Sequence, residues 1–319
     1  MDLAKQIKKM KERILITGAN GNLGKKFLLS KSNLDICALV RSKNAENDLK
    51  ILVKDNDIKN VEIVRCNYLD LKIMEKLVSS CDYVLHLVGI IKESRNNNFD
   101  LVHKKTTKIL VNAVKGSKVK KICYISIVGA NQESKNNCFS SRGVAERLFL
   151  NSEIPCLVIQ APMVLGENDY ASIALKKSAL SKFNFTFRKS SLEQPIYAGD
   201  IIEALKIDIR KSLNEKSSPT GIKILAGPTS LTREQLVEKT AKLLGVKIKV
   251  ISLPFFLGYL LAGTFEMLSS RPPVSRAMLG VLDHDDNIEP LSASRELEIE
   301  LTPLDLMLEK TVKSLEESN

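Results

Sequence analysis

The first half of the chain alternates short apolar runs with segments whose apolar residues recur at helical spacing. Runs rich in β-branched residues predict buried strands at 13–17, 34–40, 61–66, 82–88, 121–127 and 155–161. Amphipathic segments between them predict helices at 22–30, 70–80, 100–115 and 143–150. Strands that are apolar throughout and alternate with helices are typical of a parallel sheet covered on both faces. The pattern therefore predicts an α/β fold with a doubly wound (Rossmann) sheet.

The regular alternation ends after Pro162. The elements predicted beyond it are strands at 184–188 and 222–225 and helices at 201–209, from 231, and on both sides of Pro272-Pro273. Thr232 is a suitable N-cap and Gly245 a suitable stop for one of these helices. We therefore expect a boundary near residue 165. The predicted parts are a basic extension at 1–12, a nucleotide-binding domain at 13–165 and a mixed portion at 166–319 that binds substrate or partner.

A glycine-rich turn links the first predicted strand directly to a helix. It reads Gly18-Ala19-Asn20-Gly21-Asn22-Leu23-Gly24. Gly18 permits a tight turn, Gly21 leaves space for a pyrophosphate to approach the backbone, and Gly24 lets the helix pack close to the strand. The helix N-terminus adds N–H donors and a positive dipole. These seven residues therefore predict a dinucleotide-binding loop.

The residues after the second strand bear on the choice of nucleotide. An acidic side chain there accepts hydrogen bonds from the ribose and repels a 2′-phosphate. This chain has Arg41, Ser42 and Lys43 instead. Arg41 can hold a phosphate bidentately, with Ser42 as a supporting donor. NADP is thus favoured over NAD. The alternative is that Arg41, Ser42 and Lys43 form only a solvated basic loop that reads no phosphate.

The G-x-x-G-x-x-G spacing resembles the extended and atypical short-chain dehydrogenase/reductases. Further matches are His86-Leu87-Val88-Gly89, Ser126, the segment 161–166 (APMVLG), the segment 194–200 (QPIYAGD) and the segment 227–232 (GPTSLT). Together they resemble the branch that includes the 39 kDa-type accessory subunit of respiratory complex I and its bacterial relatives. The resemblance covers nearly the whole chain and implies the fold and nucleotide binding, but no particular substrate.

The resemblance also implies roles for residues beyond the glycine loop. Asn67 and Tyr68 would border the adenine, although Asn67 stands where many relatives carry aspartate. The segment Leu87, Val88 and Gly89 would line the pyrophosphate and the nicotinamide ribose.

The catalytic motif of the superfamily is incomplete. Active members use a Tyr-x-x-x-Lys pair on the helix after the fifth strand, together with a serine at the end of that strand. Ser126 matches the serine. Alignment on Ala145-Glu146 puts Cys138 at the tyrosine position and Arg142 at the lysine position, and a shift of one residue puts Phe139 at the former. Arg142 can hydrogen-bond a ribose but cannot exchange a proton.

Loss of a positioned general acid typically costs about 10²–10⁴ in rate. The sequence therefore predicts an NADP(H)-binding protein of low turnover with an assembly, structural or redox-sensing role. The alternative is an NADP-dependent reductase or isomerase whose proton donor is non-standard. Tyr124, Tyr170 and Tyr197 are the candidates for that donor, although none has the required spacing to a lysine.

Composition narrows the class of partner. The net charge is +11, but the basic residues are spread along the chain, which indicates a solvated surface rather than a nucleic-acid site. Six cysteines without a C-x-x-C pair indicate buried thiols in a reducing compartment, and three histidines predict no metal site.

The N-terminus lacks the apolar core of a signal peptide. A cytoplasmic protein is expected, with a position peripheral to a membrane complex as the alternative.

The least polar stretch, 250–265, is uncharged but contains Pro254, Gly258 and Gly263. It is short for a membrane span of about 20 residues. Such apolar C-terminal helices either cover the substrate cleft or form a patch for a protein partner or a lipophilic ligand.

Overall fold

The computed structural model describes residues 12–94, 97–268 and 275–313. Its strands are β1 (Arg13–Thr17), β2 (Asp35–Val40), β3 (Val61–Arg65), β4 (Tyr83–His86), β5 (Lys121–Ile127), β6 (Cys156–Ala161), β7 (Val164–Leu165), β8 (Phe183–Phe187), β9 (Leu192–Glu193), β10 (Ile196–Tyr197), β11 (Gly221–Ile224), β12 (Leu231–Thr232) and β13 (Lys249–Leu253). The largest sheet has seven parallel strands in the order β11-β6-β5-β4-β1-β2-β3. The predicted doubly wound α/β fold is confirmed.

The α-helices are α1 (Asn22–Leu29), α2 (Lys43–Asp55), α3 (Leu71–Val78), α4 (Thr106–Ala113), α5 (Asn137–Leu150), α6 (Tyr170–Ala179), α7 (Ala198–Leu213), α8 (Arg233–Leu243), α9 (Phe255–Leu268), α10 (Arg276–Leu282), α11 (Pro290–Glu296) and α12 (Leu304–Leu308). π-Helical segments precede α4 at Asp100–Lys105 and follow α12 at Glu309–Lys313. No helix in these described ranges is long and apolar enough to cross a membrane.

The central sheet is buried on both faces by separate apolar cores. One core contains Phe27 of α1, and the opposite core contains Phe149 of α5. Successive residues of β1 alternate between them, so that Ile14 and Ile16 pack into the first and Leu15 into the second. This double burial explains why the strands are apolar throughout rather than alternating.

The predicted strands of the first half agree with the structure to within two residues, but helix α2 was not predicted. Ala45 and Leu49 of α2 are buried, and Leu52 and Val53 pack partly against the same core, so the helix has an apolar face at helical spacing that the prediction did not include. Helix α5 begins six residues before the predicted start at 143. Its N-cap is Asn136, whose side chain accepts hydrogen bonds from the backbone N–H groups of Cys138 and Phe139.

The second half adds small two-stranded sheets and a third apolar core that contains Leu236 and Met307. Strand β11, although it follows residue 165, joins the edge of the main sheet beside β6. The domain boundary near residue 165 stays a prediction. Residues 1–11 of the predicted extension and the Pro272-Pro273 pair lie outside the described residues.

Candidate functional site

The glycine loop lies at the carboxyl edge of the central sheet, between β1 and α1. Gly18 has a φ of +72°, and a Cβ there would lie 3.0 Å from the carbonyl carbon of Leu87. A Cβ at Gly24 would lie 2.5 Å from the carbonyl oxygen of Ala19. Both glycines therefore allow close backbone packing, which side chains at these positions would prevent.

The N-terminus of α1 is open. Asn20, Gly21 and Asn22 are exposed, Gly21 is the N-cap, and no side chain caps the helix. The first turn of α1 also contains no acidic residue. The uncapped N–H groups and the helix dipole therefore leave a site that suits an anion. By contrast, α2 is capped by Ser42 and α3 by Asp70.

Tyr68 braces the loop from below. Its hydroxyl accepts a hydrogen bond from the Gly18 N–H at 3.1 Å and donates one to the Leu39 carbonyl at 2.6 Å. Burial raises the pKa of this phenol, and the side chain is only 3% exposed. Little of its ring is therefore free to contact a ligand. The bracing role was missed by sequence reasoning, because it joins residues far apart in the chain.

We expect Tyr68→Phe to lower the free energy of unfolding by about 1–3 kcal/mol, because it leaves the Gly18 N–H without its partner and removes one of the two hydrogen bonds that the Leu39 carbonyl accepts. Urea unfolding followed by circular dichroism measures this change. Tyr170→Phe is the matched control, since Tyr170 is 73% exposed and should tolerate the substitution. Equal stabilities of the two variants would show that the brace contributes nothing.

Arg41 lies at the carboxyl end of β2 and is exposed. Its guanidinium carbon lies 6.0 Å from the centre of the Tyr68 ring, and Arg41 makes no ion pair with the described residues. The hydroxyl oxygen of Ser42 accepts a hydrogen bond from the Ala45 N–H at 3.2 Å, and Lys43 pairs with Glu46. Arg41 is therefore the most available cation at this strand end. Asn67, which follows β3, is also exposed.

Arg142 and Gly89 meet at the carboxyl end of β4. Arg142 is 7% exposed, and its Nη1 donates a hydrogen bond to the Ile125 carbonyl at 3.0 Å and lies 3.4 Å from the Tyr124 hydroxyl. Its guanidinium occupies the space that a side chain at position 89 would need. Among the described residues no carboxylate forms an ion pair with Arg142. The site therefore contains a buried cation beside the segment 87–89.

Two buried histidines surround this cation. His86 Nδ1 lies 2.7 Å from the Thr17 hydroxyl, and His103 Nε2 accepts a hydrogen bond from the Ile90 N–H at 3.0 Å. Burial, with a smaller effect of Arg142, lowers the pKa of His86 to about 3. The same two causes lower the pKa of His103 to about 2. Both rings are therefore neutral at physiological pH, an arrangement that the sequence did not indicate.

We expect the ring signals of His86 and His103 to stay unshifted in an NMR titration between about pH 8 and pH 5, because both rings remain neutral. An unfolded histidine has a pKa of about 6.5, so acid protonates the unfolded chain first and stability falls as pH drops below that value. Protonation of each histidine in the unfolded chain should lower the free energy of unfolding by about 1.6 kcal/mol between pH 6.5 and pH 5. Titration of either ring near pH 6.5 would contradict the buried neutral state.

The residues predicted at the catalytic positions are poorly placed for proton transfer. Cys138 is fully buried, with its Sγ 3.8 Å from the Ile90 carbonyl oxygen, and burial raises the pKa of its thiol. Ser126 is 1% exposed, and its hydroxyl lies near Glu146 without forming a well-directed hydrogen bond. Neither side chain presents a proton to the open side of the sheet edge.

The three candidate tyrosines occupy different places. Tyr124 is fully buried beside Arg142, and burial raises the pKa of its phenol. Tyr170 is exposed at the start of α6, and Tyr197 donates a hydrogen bond to Glu167. Of these three, the structure therefore brings only Tyr124 to the buried cation.

A family model decides the family of the chain. The NmrA-like family matches residues 10–188, which is more than half of the sequence. The chain belongs to the NmrA-like family. The predicted resemblance to the short-chain dehydrogenase/reductase superfamily is confirmed by this match and by the solved structures that share the fold.

Three solved structures illustrate the shared fold of this NmrA-like protein. The protein gox2253 is 16% identical, with a TM-score of 0.70 over 97% of this chain and 99% of that one. The Bordetella bronchiseptica enzyme WbmH, solved with NAD+, is 14% identical, with a TM-score of 0.70 over 96% and 98%. A UDP-glucuronic acid 4-epimerase mutant from Bacillus cereus, solved with a UDP-sugar and NAD, is 17% identical, with a TM-score of 0.68 over 96% and 100%.

Proposed function

We propose that this NmrA-like protein binds NADP(H) at the carboxyl edge of its sheet and turns over slowly, in an assembly, structural or redox-sensing role. One observation carries the proposal: the N-terminus of α1 is glycine-lined and has no side-chain cap. The low turnover rests on the sequence prediction that Cys138 and Arg142 stand at the positions of the catalytic tyrosine and lysine. The NAD bound in structures of similar fold supports a nicotinamide dinucleotide as the ligand.

The described residues fit such a nucleotide. Its pyrophosphate would rest on the exposed residues 20–22 at the start of α1, where no side chain caps the N–H groups of the first helical turn. Arg41 would hold the 2′-phosphate and Asn67 would border the adenine, while the buried Tyr68 would support the glycine loop. The choice of NADP rests on Arg41, because a guanidinium favours a phosphate at the position where an acidic residue would exclude it.

The nicotinamide half would lie against the segment Leu87, Val88 and Gly89. Arg142 Nη2 makes no hydrogen bond with the described residues, so it is available to the nicotinamide ribose. A bound nicotinamide supplies or accepts a hydride. Arg142 can orient the ribose, but it cannot deliver the proton that carbonyl reduction also requires.

A second candidate function rests on Tyr124. Its hydroxyl lies 3.4 Å from Arg142 Nη1, and the guanidinium counteracts part of the rise that burial causes in the pKa of this phenol. A reductase or isomerase could use Tyr124 as its non-standard donor if the substrate reached this hydroxyl. Full burial of Tyr124 makes this the weaker proposal.

We expect the purified protein to bind NADPH yet to oxidise it negligibly with a panel of ketones, aldehydes and quinones. The double variant Cys138→Tyr with Arg142→Lys should gain weak activity, because it restores the proton donor and its partner. Calorimetry measures binding, and absorbance of the reduced cofactor measures turnover.

The matched control is Cys138→Phe with Arg142→Lys, which adds similar bulk without the hydroxyl and should stay inactive. Robust turnover by the unmodified protein would overturn the low-turnover proposal. If Tyr124→Phe then abolished that turnover while NADPH binding persisted, the second candidate would replace the first.

We also propose that residues 166–319 form the portion that meets a substrate or partner. A reducing compartment such as the cytoplasm suits the six cysteines, all of which are buried and unpaired. The apolar helices near the C-terminus are proposed to contact a protein partner or a lipophilic ligand.

A further inference from the structure

Helix α9 packs its small residues inward and its large apolar residues outward. Gly258 and Ala262 are buried, and a Cβ at Gly258 would lie 3.0 Å from the ring of Phe187. The exposed apolar side chains of α9 include Phe256 (68%), Leu260 (64%), Met267 (85%) and Leu268 (84%). A surface helix normally buries such side chains, so this orientation leaves a long apolar ridge in contact with solvent.

The ridge continues onto the sheet formed by β8 and β13. The parallel register pairs Phe185 with Ile251 and Phe187 with Leu253, which places these side chains on one face. Phe183 and Phe185 are 58% and 62% exposed on that face, whereas Val250 points the other way into the third apolar core. We call the outward side chains of β8, β13 and α9 the apolar face.

The two parts of the apolar face are in direct contact. The ring of Phe187 on β8 lies 5.8 Å from the ring of Phe255 at the start of α9, and Phe255 in turn lies 5.5 Å from Tyr259. Helix α9 therefore packs against the same sheet face that carries the exposed Phe183 and Phe185.

Cations border one end of this surface. Lys182, Lys247 and Lys249 are exposed, and none forms an ion pair with the residues that the structure describes. The Lys249 N–H donates a hydrogen bond to the Lys182 carbonyl at 3.1 Å, so these two residues are neighbours. The acidic residue of α9, Glu266, is already paired with Arg276 at 3.1 Å. The border is therefore positive, as is the whole chain, whose net charge is +11.

We propose that the apolar face docks on an anionic lipid surface, with α9 lying in the plane of the interface. A helix of 14 residues extends about 21 Å at 1.5 Å per residue, which suits a position along the interface rather than across a hydrocarbon core of about 30 Å. The large side chains would enter the acyl boundary, and the lysines would reach the phosphates.

The chemistry of the apolar face favours lipid over protein as the occupant. A protein interface of ordinary size combines its apolar centre with about ten hydrogen bonds. The apolar face instead presents hydrocarbon side chains with a lysine border, which matches acyl chains below anionic head groups. The proposal does not depend on nucleotide binding, because none of its residues belongs to the set proposed to hold the nucleotide.

Vesicle flotation with the full chain tests the proposal. We expect binding to phosphatidylcholine vesicles that contain about 30 mol% phosphatidylglycerol, and roughly tenfold weaker binding to phosphatidylcholine alone. The variant Phe256→Ser with Leu260→Ser should lower the partition coefficient at least about tenfold. The variant Lys182→Glu with Lys249→Glu should lose the preference for anionic vesicles, as should the unmodified protein in about 0.5 M salt.

Ile51→Ser with Leu291→Ser is the matched control. These two side chains are 59% and 48% exposed on α2 and α11, and their replacement should leave vesicle binding unchanged. If Phe256→Ser with Leu260→Ser fails to fold by circular dichroism, Met267→Ser with Leu268→Ser tests the far end of the same helix. Absence of vesicle binding, or unchanged binding by the folded α9 variants, would overturn the proposal. A lipid-free dimer that these variants dissociate would instead assign the apolar face to a second copy of the chain.

Discussion

Gly21→Val should abolish NADPH binding while the protein stays folded. Gly21 is exposed, and its φ of −72° is open to any residue. Its Cβ would lie 3.2 Å from the Gly18 carbonyl oxygen, a tight contact to which valine adds two methyl groups. These groups would cover the open N–H donors of α1, so we expect at least about a 100-fold loss of affinity, or about 2.7 kcal/mol. Calorimetric titration measures the loss.

Two other glycine variants separate binding from folding. Gly21→Ala should show an intermediate loss of affinity, because it adds only the Cβ. Gly24→Val should reduce stability as well, since its Cβ would collide with the Ala19 backbone. NADPH binding by folded Gly21→Val at the unmodified affinity would show that the loop does not hold the pyrophosphate.

Arg41→Glu should weaken the binding of NADPH much more than the binding of NADH. The change removes a charge-assisted hydrogen bond worth roughly 1.5–3 kcal/mol and adds repulsion. NADPH affinity should therefore fall at least about tenfold, while NADH affinity stays nearly constant. Arg41 is exposed and lacks an ion pair among the described residues, so the fold should not suffer.

Lys59→Glu is the control and makes the same change in charge. Lys59 precedes β3 and so lies at the amino end of the strands, whereas Arg41 lies at the carboxyl end. Lys59→Glu should lower the affinities for NADPH and NADH slightly and by the same factor. That factor measures the effect of the change in overall charge alone. Equal losses of both nucleotides in Arg41→Glu would show that Arg41 does not contact the 2′-phosphate.

The fold of the first half was predictable because its signals are local. Strands buried on both faces need continuous apolar runs, and a tight strand-to-helix turn needs glycines at short, regular spacing. Helix α2 was missed because the residues before Leu49 are mostly polar, although the apolar residues at 45, 49, 52 and 53 recur at helical spacing and face the core. In the second half the pattern of apolar residues predicts the elements less clearly, because many of its strands are short and pair in two-stranded sheets.

The sequence by itself determined the doubly wound fold and the position of the glycine loop, and it led to the prediction that Cys138 and Arg142 stand where active relatives have tyrosine and lysine. Only the tertiary structure decided what surrounds these residues. The Tyr68 brace under Gly18, the contact of Arg142 with Gly89 and the outward orientation of α9 each depend on how separate elements pack. The local sequence indicates which residues are apolar and which positions need glycine. Side-chain contacts between distant segments form only when the sheet brings those segments together.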